Sequence, residues 1–425
     1  MKTIYAIDRP VLSNRIYILD TLRGFALLGI AVVHFGGHFL ATVPPPSLHP
    51  YNPVSPSDFS ALDILVDQMQ SIFFWGIPFP IFSLLFGISF FIQMDQTAKI
   101  GQPFVWRMVW RLVVLFGIGY VHSLFYTGDV LMMYAVLGLL LIPLRRARNW
   151  VLLGIGLFFT FNMPWFLLRV GSVLSPPNAA QVAASKAFLV NFMKLAEVEY
   201  YTKQNGSLAD IMSLTASIGV KNVFFGQFVT GRMFISFGLF VLGLWVGRQR
   251  LFTDTPNHRA IFRSLLLISS IIAILSTAIW AYLTNALSGW APLPGWQEVF
   301  AQTAYTTQWV SLTAVYIAGV TLLIWHKQAR FLQPLILTGR MGLTLYIGLS
   351  IVGALIYMGY GLGQLGKLGM AASVGLGIIT FGVFTVFANR WFVYYQYGPI
   401  EWLWRTLTHW KIQPWRRKTT DLIAA

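Results

Sequence analysis

Apolar runs of about 20 residues recur along most of this chain, and each is long enough to cross a bilayer as a helix. Only 10% of the 425 residues are charged and 56% are hydrophobic, which is too little charge for a soluble surface on a chain of this length. The sequence therefore reads as an all-α polytopic membrane protein in a single integral-membrane domain, 1–425, with the lipid bilayer as its solvent. There is no cysteine, so disulfides and Cys-ligated metals are excluded.

The hydrophobic pattern predicts about ten spans, at 18–40, 65–93, 108–126, 130–144, 150–169, 228–246, 261–285, 306–325, 339–360 and 370–388. The charge alternates with them. With the N-terminus inside, 22 of the 30 Lys and Arg residues fall in inner segments, whereas the outer turns at 41–62, 127–129 and 286–305 carry none. The positive-inside rule then places both termini in the cytoplasm. The net charge of +16 becomes a consequence of topology and of attraction to anionic lipid. No nucleic-acid partner is required.

The first apolar run follows Arg9 and Arg15 and reaches Phe39-Leu40-Ala41, a weak imitation of a signal-peptide cleavage site. It is too long for one and carries Asp20 and Arg23, so it is expected to persist as a span. Residues 170–227 form one long outer segment, expected to hold amphipathic helices as a lid or interfacial anchor, or else to be a plain connector. Residues 390–425, with Trp402, Trp404, Trp410 and Trp415 among Arg405, Lys411, Arg416 and Arg417, read as a cytoplasmic amphipathic tail lying on the membrane.

Ionisable groups inside spans are costly and usually face a cavity or a partner. Arg23 and His34 are eleven positions apart, which returns to nearly the same helix face roughly 16 Å further along. Asp20 shares that stripe. His122 ends the third span, and Gly128-Asp129 opens the next after a short turn. A carboxylate beside an imidazole would hold its tautomer, as a general base requires, although Asp129 could equally be a plain helix cap. His38 lies one turn beyond His34, but a third ligand is lacking and no metal is expected. Pro78 and Pro80 must break the second span, either lining a wet cavity or making a packing kink. The glycines of Gly359-Tyr360-Gly361-Leu362-Gly363 follow no strand and carry no nucleotide-binding meaning.

Several blocks together carry a resemblance. Leu19-Asp20-Thr21-Leu22-Arg23-Gly24, Pro80-Ile81-Phe82-Ser83-Leu84-Leu85-Phe86-Gly87, His122 with Gly128-Asp129-Val130-Leu131, Gly339-Arg340-Met341-Gly342-Leu343-Thr344-Leu345-Tyr346 and Tyr397-Gly398-Pro399-Ile400-Glu401-Trp402 occur in the order found in YeiB-like bacterial inner-membrane proteins. That family resembles the transmembrane acyltransferases, whose first span carries an Arg followed, after ten residues, by a His; Arg23 and His34 have that spacing. The resemblance implies the bacterial plasma membrane as the location. It also implies transfer of an acyl group from cytoplasmic acyl-CoA, as co-substrate, to a hydroxyl or amine of an envelope or secreted acceptor. Arg23, with Asp20, would hold the donor near the inner mouth, and His34 or His122, oriented by Asp129, would be the base. Many YeiB-like proteins carry Asn at the position of His34, which keeps His122 in competition with it. Three alternatives stand beside this reading: a transporter whose buried polar groups relay protons or bind solute, a scaffold in which they are internal struts, and an Arg-Gly opening that serves packing only.

Overall fold

The computed structural model describes residues 14–38, 60–101, 103–284, 293–326 and 330–417. Lys2, Arg9, the Phe39-Leu40-Ala41 stretch, most of the 41–62 turn, Lys327 and the end of the tail from Lys418 lie outside the described residues, as do the side chains of Arg15 and His38. Among the described residues there is no strand, only an isolated bridge between Tyr395 and Arg416.

The helices in chain order are α1 (Asn14–Val33), continued by a π-helical turn over His34–His38, α2 (Ala61–Phe73), α3 (Pro78–Lys99), α4 (Phe104–Ser123), α5 (Leu131–Leu144), α6 (Asn149–Thr160), α7 (Met163–Leu174) and α8 (Ala179–Asn205). They continue with α9 (Leu208–Val229), α10 (Arg232–Arg248), α11 (Pro256–Thr284), α12 (Gly295–Trp325), α13 (Gln333–Arg340), α14 (Gly342–Tyr357), α15 (Met370–Tyr394) and α16 (Pro399–His409). Six of these segments are long and apolar enough to cross a membrane, and up to nine if each of three bent pairs is one span. The chain is thus an all-α polytopic membrane protein. About ten crossings are expected from the apolar runs; the expected spans 130–144 and 228–246 fall on α5 and α10, whose 14 and 17 residues lie below and at the lower end of the length of a full crossing.

Two expected boundaries move for a physical reason. The outer turn at 286–305 is helical from Gly295 onward, because Gln297, Glu298 and Gln302 lower the hydropathy while remaining good helix formers at a helix start. The 170–227 segment, where amphipathic helices or else a plain connector are expected, contains the end of α7, all of α8 and most of α9, the latter two opened by capping boxes at Asn178 with Gln181 and at Ser207 with Asp210. The end of α8 is fastened across the bundle: Lys203 donates from Nζ to Thr127 Oγ1 at 2.9 Å and to Glu199 at 2.6 Å, and its carbonyl accepts from Gly359 N at 2.8 Å.

Apolar side chains point outward as well as inward, as lipid-facing helices require. On α11 alone Leu267, Ile268, Ile271, Ile274 and Leu275 are exposed. Inside, hydrophobic burial gains little when the solvent is itself hydrocarbon, so helices associate through close backbone approach at small residues. Gly87 of α3 lies against the Phe240 carbonyl and the Cα of Gly243 on α10, with no room for a Cβ. Gly24 of α1 abuts the Leu335 carbonyl on α13, and Gly339 abuts the Asp20 carbonyl on α1. This second contact brings the Arg23 and Arg340 side chains, each next to one of those glycines, to the same end of the bundle.

Candidate functional site

Arg23 donates from Nη1 to Asp20 Oδ1 at 2.5 Å and from Nη2 to Ser89 Oγ on α3 at 2.6 Å. Asp20 is buried, and the charge of Arg340 acts on the same carboxylate. The pair is therefore part of a charge arrangement shared by three helices, α1, α3 and α13.

Around it stand Arg107 and Arg111 of α4, Arg340 of α13 and Arg405 of α16. Each of three guanidiniums lies over a ring: Arg111 3.7 Å above Trp404, Arg405 4.6 Å above Tyr397 and Arg340 4.8 Å above Phe392. Short α16 contributes Arg405 to this ring of charge and is pinned at both ends. At its start Glu401 accepts from Leu343 N at 2.6 Å, Thr344 N at 3.0 Å and Thr344 Oγ1 at 2.5 Å, so it caps the beginning of α14. Burial pushes the Glu401 carboxyl up, against the Thr344 and Leu343 hydrogen bonds that hold it down. Further along, Trp404 Nε1 donates to the Arg111 carbonyl at 3.1 Å, and Arg107 meets His409 Nδ1 at 3.0 Å. Desolvation and the neighbouring Arg107, Arg405 and Arg111 all push the His409 imidazole below its ordinary value, so at neutral pH it accepts from Arg107.

A cavity of about 810 Å³ is lined by these arginines and also by His34, Gly128, Val130, Tyr134 and Tyr346. The break between α2 and α3 is part of its wall, through Gly76, Pro78 and Phe79, so Pro78 serves a cavity and not only a kink. Asp20, Arg23 and His34, expected on one helix face, thus share one internal space.

His122 and Asp129 meet as their proximity in the chain suggested. His122 Nδ1 lies 2.8 Å from Asp129 Oδ1, with both side chains buried, while Asp129 Oδ2 accepts from Met132 N at 3.1 Å. The carboxylate is a helix cap and an imidazole partner at once. Neither residue lines the cavity. The two histidines nevertheless belong to one cluster: Tyr126 lies 4.9 Å from His34 and 5.5 Å from His122 between ring centroids, and Tyr346 lies 6.0 Å and 5.1 Å from them. Among the described residues no group of three His, Asp or Glu side chains comes together as a metal site, and the side chain of His38 lies outside the described residues.

As site residues, sequence reading missed Arg107, Arg111, Arg340, Arg405, Glu401, Tyr126, Tyr346 and Arg232, although Arg340, Tyr346 and Glu401 lie in the resemblance blocks and Arg405 in the tail. Arg232 carried a usable signal, since it is a charge at the head of an apolar helix.

Comparison with known proteins agrees with the blocks noted above. Residues 246–411 match the DUF418 family, described as a protein of unknown function. Uncharacterized protein YxaH of Bacillus subtilis (strain 168) is 28% identical over 97% of this chain and 98% of its own length. The uncharacterized 39.9 kDa protein in the amylase 3' region of Bacillus acidopullulyticus is 26% identical over 95% of this chain and 96% of its own. Uncharacterized protein YeiB of Escherichia coli (strain K12) is 25% identical over 92% and 95%. The chain is thus similar over nearly its whole length to YeiB-like proteins, and its residues 246–411 match the DUF418 family.

Proposed function

We propose that the chain is a membrane acyltransferase that takes its acyl group from acyl-CoA at the arginine-ringed mouth and passes it, inside the cavity, to a hydroxyl or amine of a second substrate. The observation that carries this reading is the single cavity linking Arg23 and its neighbouring guanidiniums to His34. Arginine forks suit the phosphates of a nucleotide-bearing donor, and the positive-inside rule favours the bacterial cytoplasm for that mouth, with both termini on the same side. His34 acts as base at the cavity wall. It takes the proton from the acceptor, whose oxygen or nitrogen attacks the thioester carbonyl; the C–S bond breaks and the CoA thiolate leaves, to be protonated in turn. Asp129 holds His122 in one tautomer beside the same tyrosines, so His122 is the second candidate for proton transfer.

The protein in nanodiscs, supplied with acyl-CoA and pooled envelope extract, is expected to release free thiol in a manner that requires both the extract and Arg23. No release from folded protein with several acyl donors would refute acyl transfer. A transporter is the rival that one specific observation favours, because the broken α2–α3 segment and the 85° bend before α14 both border the cavity, at Gly76 and at Gly342. It predicts solute flux without thioester consumption.

A further inference from the structure

Arg232 opens α10 and lines the cavity, as do Gly76 and Phe79. Its guanidinium sits 4.4 Å above the Phe79 ring, and its Nε is buried with no hydrogen-bond partner. Among the described residues no carboxylate pairs with it. The carboxylates on the cavity wall are Asp20 and Glu401, and both are engaged elsewhere, Asp20 by Arg23 and Glu401 by the start of α14. A guanidinium left without a counter-charge among apolar helices is expensive, and a ring face and tyrosine dipoles offset only part of that cost. Its charge acts on Tyr134 first and then on Tyr305, Tyr126 and Tyr346, of which the last two flank both histidines and Tyr346 shares the cavity wall with it. Tyr346 lines the cavity, and its oxygen accepts from Val130 N at 3.3 Å, which leaves its own proton to give.

We propose that Arg232 and the Tyr346 hydroxyl form a receptor for an anionic group, carboxylate or phosphate, on the substrate that reaches the His34 end of the cavity. The planar fork of Arg232 fits either group in two parallel hydrogen bonds, and the free amides at the head of α10 add positive potential at the same place. The bound anion supplies the missing counter-charge and fixes the substrate beside His34. The second substrate is then an anionic molecule. The inference requires that the cavity hold a substrate, whether that substrate is acylated or carried.

The test is thermal unfolding of the purified full chain in detergent, titrated separately with sodium acetate and with sodium phosphate against sodium chloride at equal ionic strength. Wild-type protein is expected to be stabilised saturably by at least one of them, because a ligand that binds only the folded state raises its stability. The apparent Kd should rise at least roughly ten-fold in Arg232→Met, about 1.4 kcal/mol, and stay unchanged in Arg146→Gln, an exposed arginine away from the cavity. A response to acetate alone assigns a carboxylate, and a response to phosphate alone a phosphate. If Arg232→Met does not fold, Arg232→Gln serves the same comparison. An unchanged Kd in the neutral variant, or no saturable response in wild type, overturns the proposal. Thiol release is read on the same preparations: an Arg232-dependent anion response without release keeps this receptor and removes acyl transfer, while release without that response removes the receptor alone.

Discussion

His34 and His122 share two ring neighbours, Tyr126 and Tyr346, with all four centroid separations between 4.9 and 6.0 Å. Two histidines that compete for one role when read along the chain therefore belong to one buried cluster, of which only His34 and Tyr346 reach the cavity. A base must touch the proton it removes, so the cavity-lining residue has the first claim.

The consequence is an ordered series of variants. With folding verified by monodisperse elution, His34→Ala is expected to lower acyl-CoA-dependent thiol release by roughly 10²–10⁴-fold, the span of a lost general base. His122→Ala and Asp129→Asn should cost less, and by similar amounts, because they act on the same side of the tyrosines. Full turnover in both histidine variants would remove the assignment. A larger loss in His122→Ala than in His34→Ala would move the base to His122.

Asp20 and Arg23 make a second, separable prediction. Breaking a buried ion pair by removing one partner leaves an uncompensated charge, whereas neutralising both does not. Because Arg23 is partly exposed, at 28% of its side-chain surface, Arg23→Gln alone should destabilise the protein by only about 1–3 kcal/mol. The double variant Asp20→Asn/Arg23→Gln should recover most of that stability yet still bind acyl-CoA weakly. Thermal unfolding and donor KM, measured on the same three proteins, separate the strut from the receptor. Recovery of both properties in the double variant would assign Arg23 to packing alone.

How much of this could be read along the chain follows from how far each feature extends in sequence. Asp20, Arg23 and His34 were legible because one helical period relates them, and His122 with Asp129 because a single short turn separates them. The arginine ring was not, since Arg107 and Arg111, Arg340 and Arg405 come from three different elements and only the packing of Gly24 on α13 and of α16 on α4 gathers them. Tyr126 and Tyr346 carry no periodic mark at all in a chain with 17 tyrosines. The fold class followed from apolar length; the number of crossings does not follow from it alone, because apolar helices such as α5 and α10 are only 14 and 17 residues long.

His409 gives α16 a pH dependence with a definite sign. Its folded value lies below the ordinary 6.5, driven first by desolvation and then by Arg107, Arg405 and Arg111. The unfolded chain therefore binds more protons in the window just below 6.5, and stability contributed by neutral His409 is present above that window and lost as pH falls through it. Hydrogen exchange of the amides of 399–409 should accelerate as pH is lowered through this range, after correction for intrinsic rates. In His409→Gln that extra acceleration should vanish. An identical pH profile in wild type and variant would show that His409 does not hold α16.

Gly24 and Gly339 decide whether the Arg-Gly opening of α1 is a packing device, a binding device or both. Each glycine lies against a backbone carbonyl of the other helix, Leu335 for Gly24 and Asp20 for Gly339. A methyl group there cannot be absorbed by a side-chain rotation, so α1 and α13 must separate. Gly24→Ala and Gly339→Ala are each expected to cost about 1–3 kcal/mol, the usual penalty of overpacking. Because Arg23 and Arg340 ride on the same two helices, the separation should also raise the donor KM, even at temperatures where the variants remain folded. Stability loss with an unchanged KM would confine the glycines to packing. A raised KM with no loss of stability would mean that the helices do not touch as closely as these carbonyl contacts require.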